Sequence, residues 1–223
     1  LSILHSTQQK LRDVLNDNEL LDKVRSLRTE PFFIGLTGPP KLGKSYITAM
    51  IHEFFMNLHP TLEYHEAQLF VKSFTDKFDS GLESHHSVFL FDDVGTVNSG
   101  VSGELALAPL ISIMETANQA TSASNQADLE KKGKVFPLPQ LVMVTSNDPL
   151  YGAIGNLVTP HALWRRIRYS VTLKVKPEFA TGSGHVAPAR IGDAHHIHTF
   201  SVSEFHLPDV SDKSGARGSF VDI

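Results

Sequence analysis

The stretch GPPKLGKS, residues 38–45, decides the fold. Gly38, Gly43, Lys44 and Ser45 satisfy G-x-x-x-x-G-K-[ST], the spacing of a loop that grips phosphate. Glycines let the backbone wrap an anion and turn its N–H groups inward. A helix opening near Lys44 aims its positive end at the same point. In such a loop Lys44 reaches the β- and γ-phosphates and Ser45 offers a hydroxyl to Mg²⁺. Pro39 and Pro40 carry no N–H, but with Lys41 they precede the donors that matter, from Leu42 and Gly43 through Lys44 and Ser45 to Tyr46.

The flanks supply the context that the motif needs. PFFIGLTG before it is a short apolar run ending in glycine, which predicts a buried strand through Phe32, Phe33, Ile34 and Leu36. SYITAMIHEFFMNL after it runs without Gly or Pro, with Ile47, Met50, Ile51, Phe54, Phe55 and Leu58 at helical spacing. Further strands are predicted at residues 68–74, 88–91 and 141–144 and over SVTLKVK, residues 170–176, with a helix over about 105–118. NQATSASNQADLEKKGK reads as a loop with a short helix, and TPHALWRRIRY as a helical turn with Thr159 as cap and Pro160 in its first position. Strands separated by helices imply an α/β fold, a mostly parallel sheet covered on both faces. Residues 1–28 read as an amphipathic helical extension, residues 29–176 as the core, and the glycine-punctuated residues 177–223 as a C-terminal extension. Within that extension HTFSVSEFHL can pair as one more strand.

Three more segments carry candidate chemistry. In SVFLFDD, Asp92 and Asp93 end a buried run; Asp92 is placed to hold Mg²⁺ and Asp93 to orient or deprotonate a water. Paired carboxylates are also common at plain strand ends. In VMVTSND, Asn147 follows another buried run and could bond a γ-phosphate, while Asn-Asp-Pro is a turn signal in its own right. In ALWRRIRY, Arg165 and Arg166 are adjacent and cannot share a helix face. One can pack locally while the other reaches a neighbouring subunit, or both can form a basic surface.

The bulk numbers set limits. The net charge of −4 gives no global basic field, so a nucleic-acid partner needs a local patch. Without cysteine there is no disulfide and no thiolate-bound zinc. No apolar run approaches the ~20 residues that span a bilayer, and the N-terminal residues lack a signal-peptide pattern. The histidines in HHIH, His195, His196 and His198, have no fixed metal-ligand spacing and read as a surface strand.

Taken together, RTEPFFIGLTGPPKLGKS, FDSGLESHHSVFLFDDVG, ADLEKKGKVFPLPQLVMVTSN and PHALWRRIRY resemble the ordered motifs of a superfamily 3 helicase. The chain is most similar to the membrane-associated NTPase/helicase of picornaviruses and related positive-strand RNA viruses, over about residues 28–176. The resemblance implies an AAA+ P-loop NTPase fold acting as a ring, usually a hexamer, with ATP and Mg²⁺ bound between subunits. It implies a homo-oligomeric, ATP-hydrolysing RNA helicase or RNA-remodelling motor in the host cytoplasm. Such a motor works at membrane-associated replication complexes with other viral replication proteins. Carried over, Gly38, Gly43, Lys44 and Ser45 bind nucleotide and metal, Asp92 and Asp93 serve metal and water, and Asn147 senses the γ-phosphate. Arg165 and Arg166 become finger candidates acting in trans. Lys131, Lys132 and Lys134 become candidate RNA contacts, because lysines on a loop bind phosphate without reading bases; a solvated charged loop is the plainer alternative. An assembly or RNA-binding scaffold switched by nucleotide remains the other functional reading, and a cellular AAA+ ATPase a third. The chain departs from the family in placing Lys41 where glycine is frequent, in lacking zinc-binding cysteines, and in showing neither an evident upstream membrane segment nor a C-terminal assembly helix.

Overall fold

The computed structural model describes residues 29–58, 64–74, 78–96, 103–118, 123–187, 190, 196–206 and 219–223. The helical reading of residues 1–28 lies outside the described residues. Strands β1 (Phe32–Thr37), β2 (Leu69–Lys72), β3 (Val88–Phe91), β4 (Leu141–Ser146), β5 (Tyr169–Val175), β6 (His198–His206) and β7 (Ser219–Asp222) form one sheet. Its order is β2-β3-β4-β1-β5-β6-β7. The first five strands in that order are parallel, and β6 and β7 join antiparallel at the β5 edge.

Alternation along the central strands explains the layers. Phe89 and Phe91 of β3 and Val142 and Val144 of β4 face one core, while Val88, Leu90, Leu141 and Met143 face the other. Helix α1 (Lys44–Leu58) covers the second face through Ile47, Ile51, Phe55 and Met56. Helix α2 (Gly103–Thr116) and the short α3 (His161–Trp164) cover the first through Leu110, Ile113, Leu163 and Trp164. The α/β reading with helices on both faces therefore describes the molecule.

Several local expectations shift. The helical spacing in α1 mixes two stripes: Ile47 is buried, whereas Met50, Phe54 and Leu58 are exposed together with Tyr46. Thr159 does not cap α3 with its side chain; its carbonyl accepts the Ala162 N–H, and Pro160 occupies the cap position in helical backbone. No helix forms over the described residues 123–134; the lysine segment there is a run of turns closed on the Asp128 carbonyl by the N–H groups of Lys131 and Lys132. The predicted extra strand is β6, paired with β5 from Tyr169↔Glu204 to Val175↔His198, and β7 behind it had no distinct sequence signal. Phe205 of β6 and Phe220 of β7 pack on each other and on Trp164, so the C-terminal strands share the main core. No described helix is long and apolar enough to cross a membrane.

Candidate nucleotide site at the strand ends

Parallel strands all end on one side of the sheet, and β1, β3 and β4 bring their exits together there. Thr37, the last residue of β1, sits level with Ser146 of β4 and Thr172 of β5. The phosphate-loop residues 38–43 cross this edge and run into α1 at Lys44. Left-handed backbone at Lys41 (φ 62°) and Gly43 (φ 79°), with Gly38 at φ 149°, folds the loop back on itself. Lys41 thus occupies a conformation that glycine adopts freely and that costs an L-residue about 1–2 kcal/mol. The loop keeps its curve with a lysine at this position. Leu42 anchors it from below, fully buried among Leu36, Ile47, Val171 and Leu173. Gly38 has no room for a side chain: a Cβ would lie 2.9 Å from both the Leu173 carbonyl and Leu42 Cδ1.

Lys44 is buried at the floor of this edge. Its three ammonium hydrogens are matched by Gly38 O at 2.9 Å, Pro39 O at 3.1 Å and Asn147 Oδ1 at 2.6 Å. Burial lowers its pKa, an effect opposed by the charges of Asp93 and then Asp92. The loop lysine, both carboxylates and the asparagine that follows β4 therefore share one field. The Asn-Asp-Pro turn does not compete with this role. Asn147 turns to Lys44, while the Asp148 carboxylate accepts the N–H groups of Leu150 and Gly152.

Thr145 ties the carboxylates to β4. Its fully buried hydroxyl donates to Asp92 Oδ1 at 2.5 Å and accepts the Asp93 N–H at 2.8 Å. Asp93 is held at φ 51°, a left-handed position that aspartate tolerates better than most residues. The Ser146 hydroxyl donates to Val94 O, and the Val94 N–H to Thr145 O. Below them Gly95 and Gly152 meet backbone to backbone; a Cβ on Gly152 would fall 2.6 Å from Gly95 Cα. Thr145 and this glycine contact were missed by sequence reasoning. A hydroxyl near the end of an apolar strand was their one visible trace.

The remaining candidates separate. Ser45 and Tyr46 are exposed in the first turn of α1, where amides lack intrahelical acceptors. Arg166 is half-buried, donating to Ala162 O at 2.6 Å and approaching Asn118 Oδ1 at 3.4 Å, and burial and the neighbouring Arg165 lower its pKa. Arg165 is exposed. Lys131 forms an ion pair with Glu83, whereas Lys132 and Lys134 are exposed. Among the histidines, His198 departs from a plain surface strand: its Nε2 lies 2.6 Å from the Leu42 carbonyl. Among the described residues no group of three or more His, Cys, Asp or Glu could hold a metal ion.

The RNA helicase family model matches residues 34–148, just over half of the chain, from within β1 to the residue after Asn147. The RNA1 polyprotein of Raspberry ringspot virus (strain cherry) is 28% identical over 175 residues, covering 78% of this chain and 7% of that polyprotein. The genome polyprotein of Rice tungro spherical virus (strain A) is 23% identical over 176 residues, covering 79% and 5%. The chain thus spans less than a tenth of the length of these relatives. Motif order, an α/β sheet with the phosphate loop at its strand ends, and the match across that region lead to one assignment: the chain belongs to the RNA helicase family, the superfamily 3 helicases of RNA viruses.

Proposed function

We propose that this chain is the ATP-hydrolysing motor of a viral replication complex, moving or unwinding RNA as a ring of identical subunits. The observation that carries the reading is the meeting of Lys44 with Asn147 beside Asp92 and Asp93. The fit to a nucleotide rests on the donor set. The loop curls through its positive-φ residues, opens into a fifteen-residue helix, and keeps a buried ammonium at its centre. Two exposed carboxylates and the Ser45 hydroxyl suit a cation whose other ligands are phosphate oxygens and water. Mg²⁺ held there with ATP would supply charge neutralisation to the phosphates.

In this reading Lys44 exchanges its carbonyl partners for phosphate oxygens. Asp92, oriented by Thr145, faces the metal side. Asp93 aligns and deprotonates the attacking water, and Asn147 registers the γ-phosphate. Arg165 is the better finger toward the neighbouring subunit of a hexameric ring, because Arg166 is spent on Ala162 and Asn118. Lys132 and Lys134 are the better RNA contacts, because Lys131 is neutralised by Glu83. Similarity to segments of viral polyproteins supports a role in the host cytoplasm with other replication proteins, at host membranes reached through other segments of such a polyprotein.

The test mixes inactive subunits. Asp93→Asn chains combined with Arg165→Ala chains should regain ATP hydrolysis at the interfaces that pair an intact Asp93 with an intact Arg165. Mixtures proven by mass to be mixed rings, yet inactive, would refute a finger in trans. Hydrolysis without ATP-dependent strand separation would move the function to the nucleotide-switched scaffold.

A further inference from the structure

An antiparallel strand added to β5 must begin where β5 ends. Val175 pairs with His198, so β6 starts on the edge that carries the phosphate loop. His198 is the first residue of β6 and lies beyond the region matched by the family model. Its Nε2 is 2.6 Å from the carbonyl oxygen of Leu42. A carbonyl only accepts, so Nε2 carries the proton. The ring is also 3.9 Å from where a Cβ on Gly43 would stand, and Phe200 packs near it with centroids 6.2 Å apart.

The peptide joining Leu42 to Gly43 is planar and trans, so its C=O and N–H point in opposite directions. Holding the carbonyl toward β6 turns the Gly43 N–H away from β6. The loop needs such a restraint: Lys41, the residue before Leu42, sits in left-handed backbone, and Gly43 after it does too. Glycine in particular gives the peptide freedom to flip. Leu42's buried side chain fixes the Cα but not the peptide plane beyond it.

We infer that His198 is a positioning residue for the nucleotide: it locks the Leu42–Gly43 peptide so that the Gly43 N–H is presented to phosphate. The C-terminal strands are thereby part of the nucleotide grip rather than an appendage to it. The inference rests on the nucleotide-site reading above and extends it to a residue outside every motif.

The experiment measures the affinity of a non-hydrolysable ATP analogue with Mg²⁺ by calorimetry, for the unaltered chain, His198→Ala and His198→Gln. Amide hydrogen exchange of residues 42–46 is followed in the same proteins without nucleotide. His198→Ala should weaken binding roughly tenfold, the loss equivalent to one hydrogen bond, and speed exchange in the loop. His198→Gln, which can place an amide N–H near the same carbonyl, should recover most of both. Ala binding as tightly as the unaltered chain would overturn the inference. So would Gln binding as weakly as Ala, which would assign the effect to ring packing. Failure of the unaltered chain to bind the analogue at all would instead remove the nucleotide reading itself.

Discussion

The phosphate loop is held between two unlike flanks. On the β3–β4 side, Thr145, Ser146, Val94, the Gly95–Gly152 contact and the Asp148 turn tie the carboxylates to Asn147 through overlapping bonds. On the β5–β6 side, the described polar link to the loop is one side-chain bond, from His198 to Leu42. A flank built from many small restraints is rigid and fails through loss of stability. A flank built from one restraint leaves the fold intact when cut and changes only what the loop presents. Lys44 lies between them and belongs to the chemistry of both. Each substitution below tests whether the two flanks fail in these different ways.

The largest effect should come from Lys44→Met, which keeps most of the apolar stem and removes the charge. Phosphate release should fall about 100- to 1,000-fold, the usual cost of deleting one donor to a developing oxyanion. The fold should persist, because a buried cation is a liability to the empty protein. The sign follows from the lowered pKa of Lys44, caused first by desolvation. The unfolded chain holds this proton more tightly than the folded one, so the penalty is complete below the lowered folded value and is relieved as pH rises from that value toward the unfolded one. In denaturant titrations that alkaline gain should vanish in Lys44→Met. A variant that unfolds at neutral pH would show Lys44 to be structural instead.

Next is Gly35→Ala, which attacks the rigid flank from beneath. The Cβ would stand 1.9 Å from the hydroxyl oxygen of Tyr151, a fully buried residue at φ 58° whose hydroxyl is 2.6 Å from Ser170 Oγ. Overpacking of this kind costs about 3 kcal/mol, read as a lower midpoint in urea. Tyr151 begins the segment that brings Gly152 to Gly95, so activity should fall only as far as folding does. Full stability in Gly35→Ala would mean that Tyr151 can leave its site without disturbing the loop.

What the sequence displayed, and what it hid, follows the same division. Lys44 stood out by its spacing from two glycines, and Asp92, Asp93 and Asn147 because each ends or follows an apolar run; a parallel sheet sends such ends to one edge. The sheet's α/β character was visible for the same reason. His198 was invisible as a loop contact, because its partner is far away in the chain and only the β5–β6 register brings them together. The choice between Arg165 and Arg166 was likewise undetermined, since adjacent residues differ only in what the fold packs against them. Thr145 hid among the apolar residues of β4 because alternation marks a face and not a hydrogen-bond partner.

Thr145→Val is therefore the sharper probe of the rigid flank. The shapes are similar, but the bonds to Asp92 and to the Asp93 N–H are lost. Two such bonds are together worth about 2 kcal/mol of stability. Hydrolysis should drop more than nucleotide affinity, because Asp92 and Asp93 remain present but lose their orientation. A loss confined to affinity would place Thr145 with the loop and not with the carboxylates.

The smallest effect belongs to Lys41→Gly, and its size is the informative part. Glycine relieves left-handed backbone worth about 1–2 kcal/mol in an L-residue. It also adds freedom to the unfolded chain, which costs about 0.4–1 kcal/mol. These terms oppose, so folding stability should rise by between about 0 and 1.6 kcal/mol. Lys41→Val, branched at Cβ and ill-suited to φ 62°, should destabilise instead. Lys41 is exposed, so neither change removes a buried contact, and any difference between the variants reports backbone geometry. If glycine lowers stability while valine leaves it unchanged, the left-handed conformation is not what the loop requires at residue 41. The loop's curvature would then rest on Gly38 and Gly43 alone, and the single restraint from His198 would carry more of its shape.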